Sequence, residues 1–184
     1  MSSDNKMQRH LTTLLKDRNF VPCLSSNNSE VFFIDDSKAH KKCIIFDSVV
    51  NEGEFVKIIN PNKKIIFLLA LDGCFFGEGK SPKRCDCIFF DDATFCFAEL
   101  KLEALSNYED TITKNREEAV RQLRTTIEFF NSRLKNDYLD FLKEANVCTP
   151  PHYPQKNTAL SETAIIFSDE FGVTFFEANE KTFQ

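Results

Sequence analysis

Two rhythms of apolar residues run through this chain. Over residues 7–17, Met7, Leu11, Leu14 and Leu15 fall on one stripe, which predicts a short amphipathic helix. Residues 21–29, rich in Ser and Asn, read as a loop. Short β-branched and aromatic runs follow. The strands they predict are 30–34 and 42–46, with Asp35, Asp36 and Ser37 as the turn between them. Two more are 56–59 and 64–70, separated by the turn residues Asn60, Pro61 and Asn62. Residues 72–83 hold three of the five glycines and read as a flexible connection. Strands are expected over 85–90 and 95–102, joined at Asp91, Asp92, Ala93 and Thr94. A long helix is expected from about residue 107 to 134, because Ala119, Leu123, Ile127 and Phe130 recur at spacings of three and four. A second helical piece is expected over 137–145, broken by Thr149, Pro150 and Pro151. The end reads as a hairpin, 164–167 and 173–176 about a turn at 169–172. This order predicts an α/β fold, a mixed central β-sheet flanked by helices, in one domain over residues 1–184.

Composition changes the picture in three ways. Phe is abundant (20 residues, against 3 Tyr and no Trp), so strands can fill a core without a polar partner for each ring. The net charge of −5 argues against an evenly basic coat for gripping nucleic acid, but leaves room for a local basic groove. Residues 1–10 lack the apolar core of a signal peptide, and the longest apolar run, near 65–71, is too short to span a bilayer. With seven irregularly spaced cysteines, taken as free thiols, this points to a cytoplasmic protein with no membrane partner.

The chemistry concentrates in residues 84–101. On a strand, Glu99 and Lys101 share a face, with Phe95 and Phe97 on the same side and Cys96, Ala98, Leu100 and Leu102 on the other. A strand apolar on both faces except at its last charged pair belongs in the middle of a sheet. If the turn is symmetric, residues that face each other have numbers summing to 185, and Asp86 faces Glu99. Directly opposed carboxylates repel, and a divalent cation between them removes the repulsion. Oxygen-only ligation favours Mg²⁺ or Mn²⁺. Such an ion on Asp86 and Glu99, with the backbone carbonyl of Leu100 as a further ligand, would polarise a phosphoryl oxygen and acidify a bound water. Lys101 would hold that water or offset charge on the phosphate.

An Asp on one strand, then Glu-x-Lys on the next, resembles the PD-(D/E)xK nuclease superfamily. Its restriction-endonuclease-like core runs helix, three strands, helix, strand. In its RecB-like branch a Gln on the following helix joins the site through a Gln-x-x-x-Tyr pattern. Here Gln122 stands on that helix, with Thr126 at the aromatic position; Cys85 replaces the nominal Pro, and residues 7–17 offer no first-helix Glu. The resemblance implies a Mg²⁺-dependent endonuclease acting on nucleic acid, DNA before RNA, in defence, restriction or repair. Asp86, Glu99, Lys101 and Gln122 would be catalytic, and a homodimer would cut both strands.

Blander readings stand beside these. Asp86, Glu99 and Lys101 also suit an exposed strand-end ion pair, and Gln122 an ordinary helix position. Lys114, Arg116, Arg121 and Arg124 suit either a phosphate groove or a solvated face paired with Glu117, Glu118 and Glu128. The basic stretch around Gly77, Gly79, Lys80, Lys83 and Arg84 suits phosphate contacts or a plain connection. Cys74, Cys85, Cys87 and Cys96 read as buried thiols, since Cys-x-Cys is not a zinc knuckle. The scattered histidines and the lack of Gly-x-Ser-x-Gly leave a His-based nuclease or a serine hydrolase unsupported. The rival function is a catalytically inactive nuclease-fold interaction or immunity protein, which the acidic balance favours.

Overall fold

The computed structural model describes residues 11, 20–37, 39–48, 55–77, 82–104, 108–134, 140–150, 153–154 and 157–184. The helix expected over 7–17 lies outside these, apart from Leu11, which is helical and buried. The strands are β1 (Leu24–Asn27), β2 (Val31–Ser37), β3 (Lys42–Phe46), β4 (Val56–Ile59), β5 (Ile66–Ala70), β6 (Cys87–Phe90), β7 (Thr94–Leu100), β8 (Leu142–Cys148), β9 (Thr174–Glu177) and β10 (Glu180–Thr182). Helix α1 is Glu109–Leu134 and helix α2 is Asn157–Phe171. The protein is thus α/β, with mixed sheets. No helix among the described residues is long and apolar enough to cross a membrane.

Two sheets form. The larger has the order β1-β5-β6-β7-β8-β9, and the smaller β10-β4-β2-β3. In the larger sheet β5, β6 and β7 run antiparallel in turn, and β8 then pairs parallel to β7, as β9 does to β8. A parallel neighbour needs a crossover, and α1 provides it. The expected stripe on α1 is present: Ala119, Leu123, Ile127 and Phe130 are fully buried against Phe95, Phe97, Ala145 and Val147. The opposite face of the same sheet packs on the smaller sheet. There Cys87, Cys96, Ala98 and Cys148 meet Phe32, Ile34, Val56 and Ile58. These small side chains let two sheets approach closely while Phe89 and Phe183 fill the remaining volume. β7 is therefore covered on both faces, as a central strand should be.

Several elements depart from the sequence reading. Residues 24–27 form strand β1 rather than loop, because pairing with β5 gives them a ladder that local Ser and Asn preferences do not reveal. Asp35, Asp36 and Ser37 continue β2 instead of turning, paired with Ile44, Cys43 and Lys42. The described part of the piece expected as helix over 137–145 is mostly strand β8, drawn in register along β7. The expected strand 164–167 lies within α2. Leu160, Ala164, Phe167 and Phe171 recur at helical spacing against the core, while Ile165 and Ile166 are exposed. Gly172, at φ +62°, turns the chain out of α2 into β9, its amide bonded back to the Ser168 carbonyl.

The connection after β5 is not uniformly flexible. Residues Leu71–Phe75 form a wide turn closed by the Phe76 amide on the Leu71 carbonyl, with non-helical backbone at Asp72 and Gly73, and Cys74 within it is bonded to Cys23 (Cα–Cα 5.7 Å). This corrects the expectation of free thiols throughout: a pair 51 residues apart carries no spacing signature in the sequence. Cys43, Cys85, Cys87, Cys96 and Cys148 are free and buried. Gly73, at φ +68°, abuts the turn between β2 and β3; a Cβ there would lie 1.6 Å from the Lys41 carbonyl oxygen.

Candidate active site

The turn between β6 and β7 fixes the register. Asp91 accepts hydrogen bonds from the amides of Ala93 and Thr94 at 2.9 and 2.7 Å, closing a symmetric loop. Facing residues then sum to 185: Phe90 with Phe95, Phe89 with Cys96, Ile88 with Phe97, Cys87 with Ala98. The expected alignment holds to the last ladder pair before Asp86 and Glu99.

At Asp86 the strand bends. Ile88 and Phe90 pack on the helix side and Cys87 and Phe89 on the other, yet Cys85 returns to the helix side. Strict alternation would have put Cys85 with Cys87. The Cys85 amide leaves the ladder and donates to Thr126 Oγ1 on α1 at 2.9 Å, and the Thr126 hydroxyl donates in turn to the Gln122 carbonyl. The Asp86 carbonyl accepts from the amides of Leu71 and Asp72. Its carboxylate takes the position a ladder partner would fill, with Oδ2 accepting from the Leu100 amide at 2.6 Å. Asp86 is thus held at the open end between β6 and β7. Leu100, whose carbonyl was expected to face a cation, meets Asp86 through its N–H.

Glu99 sits on the helix-side face with Phe95 and Phe97. Its Oε1 is 2.9 Å from Lys101 Nζ, so the two share a face as their spacing requires. Lys101 Nζ also reaches Gln122 Oε1 at 3.4 Å, and Gln122 Nε2 donates to the Arg84 carbonyl at 3.3 Å. Gln122 therefore ties Lys101 to the chain leading into Asp86. Glu99, Gln122 and Asp86 are 1%, 7% and 8% exposed. The reading of these residues as a solvated surface ion pair does not survive this burial.

Burial dominates the electrostatics. Loss of water pushes the Asp86 carboxyl up to about 7, against the pull of the Leu100 amide; Asp36 adds to the rise, Lys101 opposes it and Asp72 adds again. Glu99 is raised well above the usual carboxylate range, first by burial and next by the charge of Asp86, with Lys101 opposing. Lys101 loses water too, which works downward, but its contact with Glu99 outweighs that and leaves it raised. Glu99 Oε2 is buried with no hydrogen-bond partner. A buried orphan carboxylate oxygen is costly unless a cation or proton meets it. Two oxygen donors beside a lysine fit a hard divalent ion such as Mg²⁺ or Mn²⁺. Among the described residues, no three His, Cys, Asp or Glu side chains already converge as a metal cage.

Comparison with protein-family models, curated proteins and solved structures gives no match.

Beside the site opens a cleft of about 550 Å³, lined by Asp35, Asp36, Leu100, Lys101, Glu103 and Asn115 among others. The acids on its wall were missed as site residues because Asp35 and Asp36 read as turn. Of the two readings of the basic residues on α1, the phosphate groove is not what the structure builds from Arg116 and Arg124. Arg116 is paired with buried Glu177 at 2.9 Å, and Arg124 with Glu170. Lys83 pairs with Glu118 at 3.2 Å. Of the cysteines once grouped near Asp86, Cys85, Cys87 and Cys96 are buried thiols, whereas Cys74 is in the disulfide.

Proposed function

We propose that this chain is a metal-dependent nuclease that hydrolyses phosphodiester bonds, in DNA before RNA, at a site made by Asp86, Glu99, Lys101 and Gln122. The observation that carries this reading is the buried Glu99 carboxyl. One oxygen is held by Lys101 and the other has no partner, beside a second buried acid at the end of a register-locked hairpin. A polar group so buried usually has an absent ligand or a catalytic role. The sheet order adds support: three antiparallel strands, a crossover helix and a fourth strand parallel to the third resemble the nuclease core named above.

When bound, Mg²⁺ or Mn²⁺ supplies Lewis acidity and a more acidic water. Asp86 and Glu99 hold that charge at the strand ends. Lys101, anchored by Glu99 and Gln122, places an ammonium where charge grows on the phosphate or on the attacking water. Thr126 fixes the approach of the Asp86 strand to α1, a task suited to a short hydroxyl rather than an aromatic ring.

The test is cleavage of supercoiled plasmid and of single-stranded oligonucleotides with Mg²⁺ or Mn²⁺. Activity should vanish with EDTA and fall at least about 100-fold in Glu99→Gln and Lys101→Met. Circular dichroism should show both variants folded. Undiminished cleavage in Glu99→Gln would remove the site from the mechanism.

A second reading, an inactive nuclease-fold interaction or immunity protein, is favoured by one observation. The cleft wall carries Asp35, Asp36 and Glu103 in a chain of net charge −5, a poor surface for bare phosphates. No cleavage of either substrate, together with no Mn²⁺ binding, is the result that selects it.

A further inference from the structure

We propose that Asp36, contributed by the smaller sheet, is a third carboxylate of the cation site formed with Asp86 and Glu99. The inference rests on the reading above and adds a residue that the Asp and Glu-x-Lys spacing does not include.

The placement follows from strand geometry. On β2, Phe32 and Ile34 face the larger sheet and are fully buried in the core between the sheets. Two residues further on, Asp36 must project from the same face. Its ladder partner, Cys43 on β3, confirms the side, since Cys43 is buried in that same core. Cys43 shares a thiol hydrogen bond with Cys87, which bridges the two sheets one residue from Asp86. Asp36 therefore overhangs the strand end at which Asp86 is held. It lines the 550 Å³ cleft together with Leu100 and Lys101, the two residues that touch Asp86 and Glu99. Its charge is felt at Asp86 more strongly than that of Lys101.

Acids gathered in a cleft are not in themselves a site. What points to a ligand here is Glu99, 1% exposed, its Oε2 without a partner and its other oxygen on the cleft-lining Lys101. Asp86 occupies the open end of the hairpin, in line with the sheet rather than on one face, so a cation there is approachable from both sides. Glu99 comes from the helix side and Asp36 from the side of the smaller sheet. The three carboxylates do not already converge, so Asp36 must swing toward Asp86 when the cation binds. Three carboxylates against one ammonium leave a net negative site that calls for a divalent, oxygen-preferring ion.

The experiment is Mn²⁺ titration of the full chain by calorimetry and by Mn²⁺ electron paramagnetic resonance, with thermal melts in parallel. The variants are Asp36→Asn and, as a loss of charge from just before the far end of the same strand and outside the cleft, Glu30→Gln, whose side chain is exposed. Asp36→Asn should weaken Mn²⁺ binding about tenfold or more, and should shrink the Mn²⁺-induced rise in melting temperature. Circular dichroism in EDTA should show the variant folded as wild type is. Glu30→Gln should bind nearly as wild type. Equal weakening by both variants, or unchanged binding in Asp36→Asn, overturns the proposal and leaves the two-acid site standing. Absence of Mn²⁺ binding in wild type overturns the metal site altogether.

Discussion

At the residue scale the site is defined by burial more than by sequence spacing. Asp86 is surrounded by the Leu100 amide, Lys101, Asp36, Asp72 and Glu99, and the loss of water is the strongest of these influences. Its carboxyl rises from the ordinary 3.8 to about 7, so the folded chain binds that proton more tightly than the unfolded chain does. Stability from this group is therefore present below about pH 4 and is lost as pH climbs to about 7, where a buried charge appears. In EDTA, wild type should lose on the order of 2–3 kcal/mol between pH 5 and pH 8 through this group. Asp86→Asn keeps an oxygen for the Leu100 amide but removes the charge, so its stability should fall less over that range, the remaining loss coming from buried Glu99. Urea melts at each pH check this, and a wild-type stability that rises from pH 5 to pH 8 would contradict it. Saturating Mg²⁺ should restore stability at pH 8 in wild type alone. Gln122 and Thr126 belong to the same scale. Both were visible as positions on α1, but only the fold shows that one bonds Lys101 and the other bonds the Cys85 amide.

At the element scale, a hairpin was legible and its tether was not. The pairing of β6 with β7 could be counted from Asp91 and Thr94, because a symmetric turn leaves a single alignment with apolar side chains in register. The two acids, the lysine and the long helix followed from that alignment and from the stripe on α1. Strand β8 was hidden because Leu142, Lys143, Glu144 and Ala145 are good helix formers locally; parallel pairing to β7 overrides them. Helix α2 was hidden by Ile165, Ile166 and Phe167, a β-like run when taken alone. The disulfide was hidden because it joins the chain before β1 to the turn after β5. That turn is no bystander, since the amides of Leu71 and Asp72 within it hold the Asp86 carbonyl. Closing a loop of this length restrains the unfolded chain by roughly 4 kcal/mol. Reduction by a phosphine, or the double change Cys23→Ala and Cys74→Ala, should lower stability by up to about that amount. Amide exchange should speed first at residues 71–76. A melt unmoved by reductant, with alkylation showing all seven cysteines free, would remove the tether from the account.

At the scale of the whole molecule, the proposed nuclease function raises the question of how an acidic chain would meet a polyanion. Phosphate contacts come from lysine and arginine that are free to trade a counterion for a phosphate. Here eight such side chains among the described residues already stand in ion pairs with carboxylates. Arg116 is the firmest, fixed on Glu177 where α1 meets β9, and it serves the packing of the helix layer rather than a groove. The cleft beside Lys101 adds acids, not bases. On the proposed function, grip by direct charge would be weak, and much of the attraction for a phosphate would arrive with the divalent ion. Two consequences follow for binding measured by fluorescence anisotropy with the cleavage-deficient Lys101→Met variant. In EDTA, affinity for duplex DNA should be poor at physiological salt. With Ca²⁺ as a non-cleaving substitute, affinity should appear, and log K should fall with log salt at a slope no steeper than about −3, corresponding to about three phosphate contacts. A slope near −6 in EDTA would mean that a basic surface, and not a cation between Asp86 and Glu99, brings the nucleic acid to this protein.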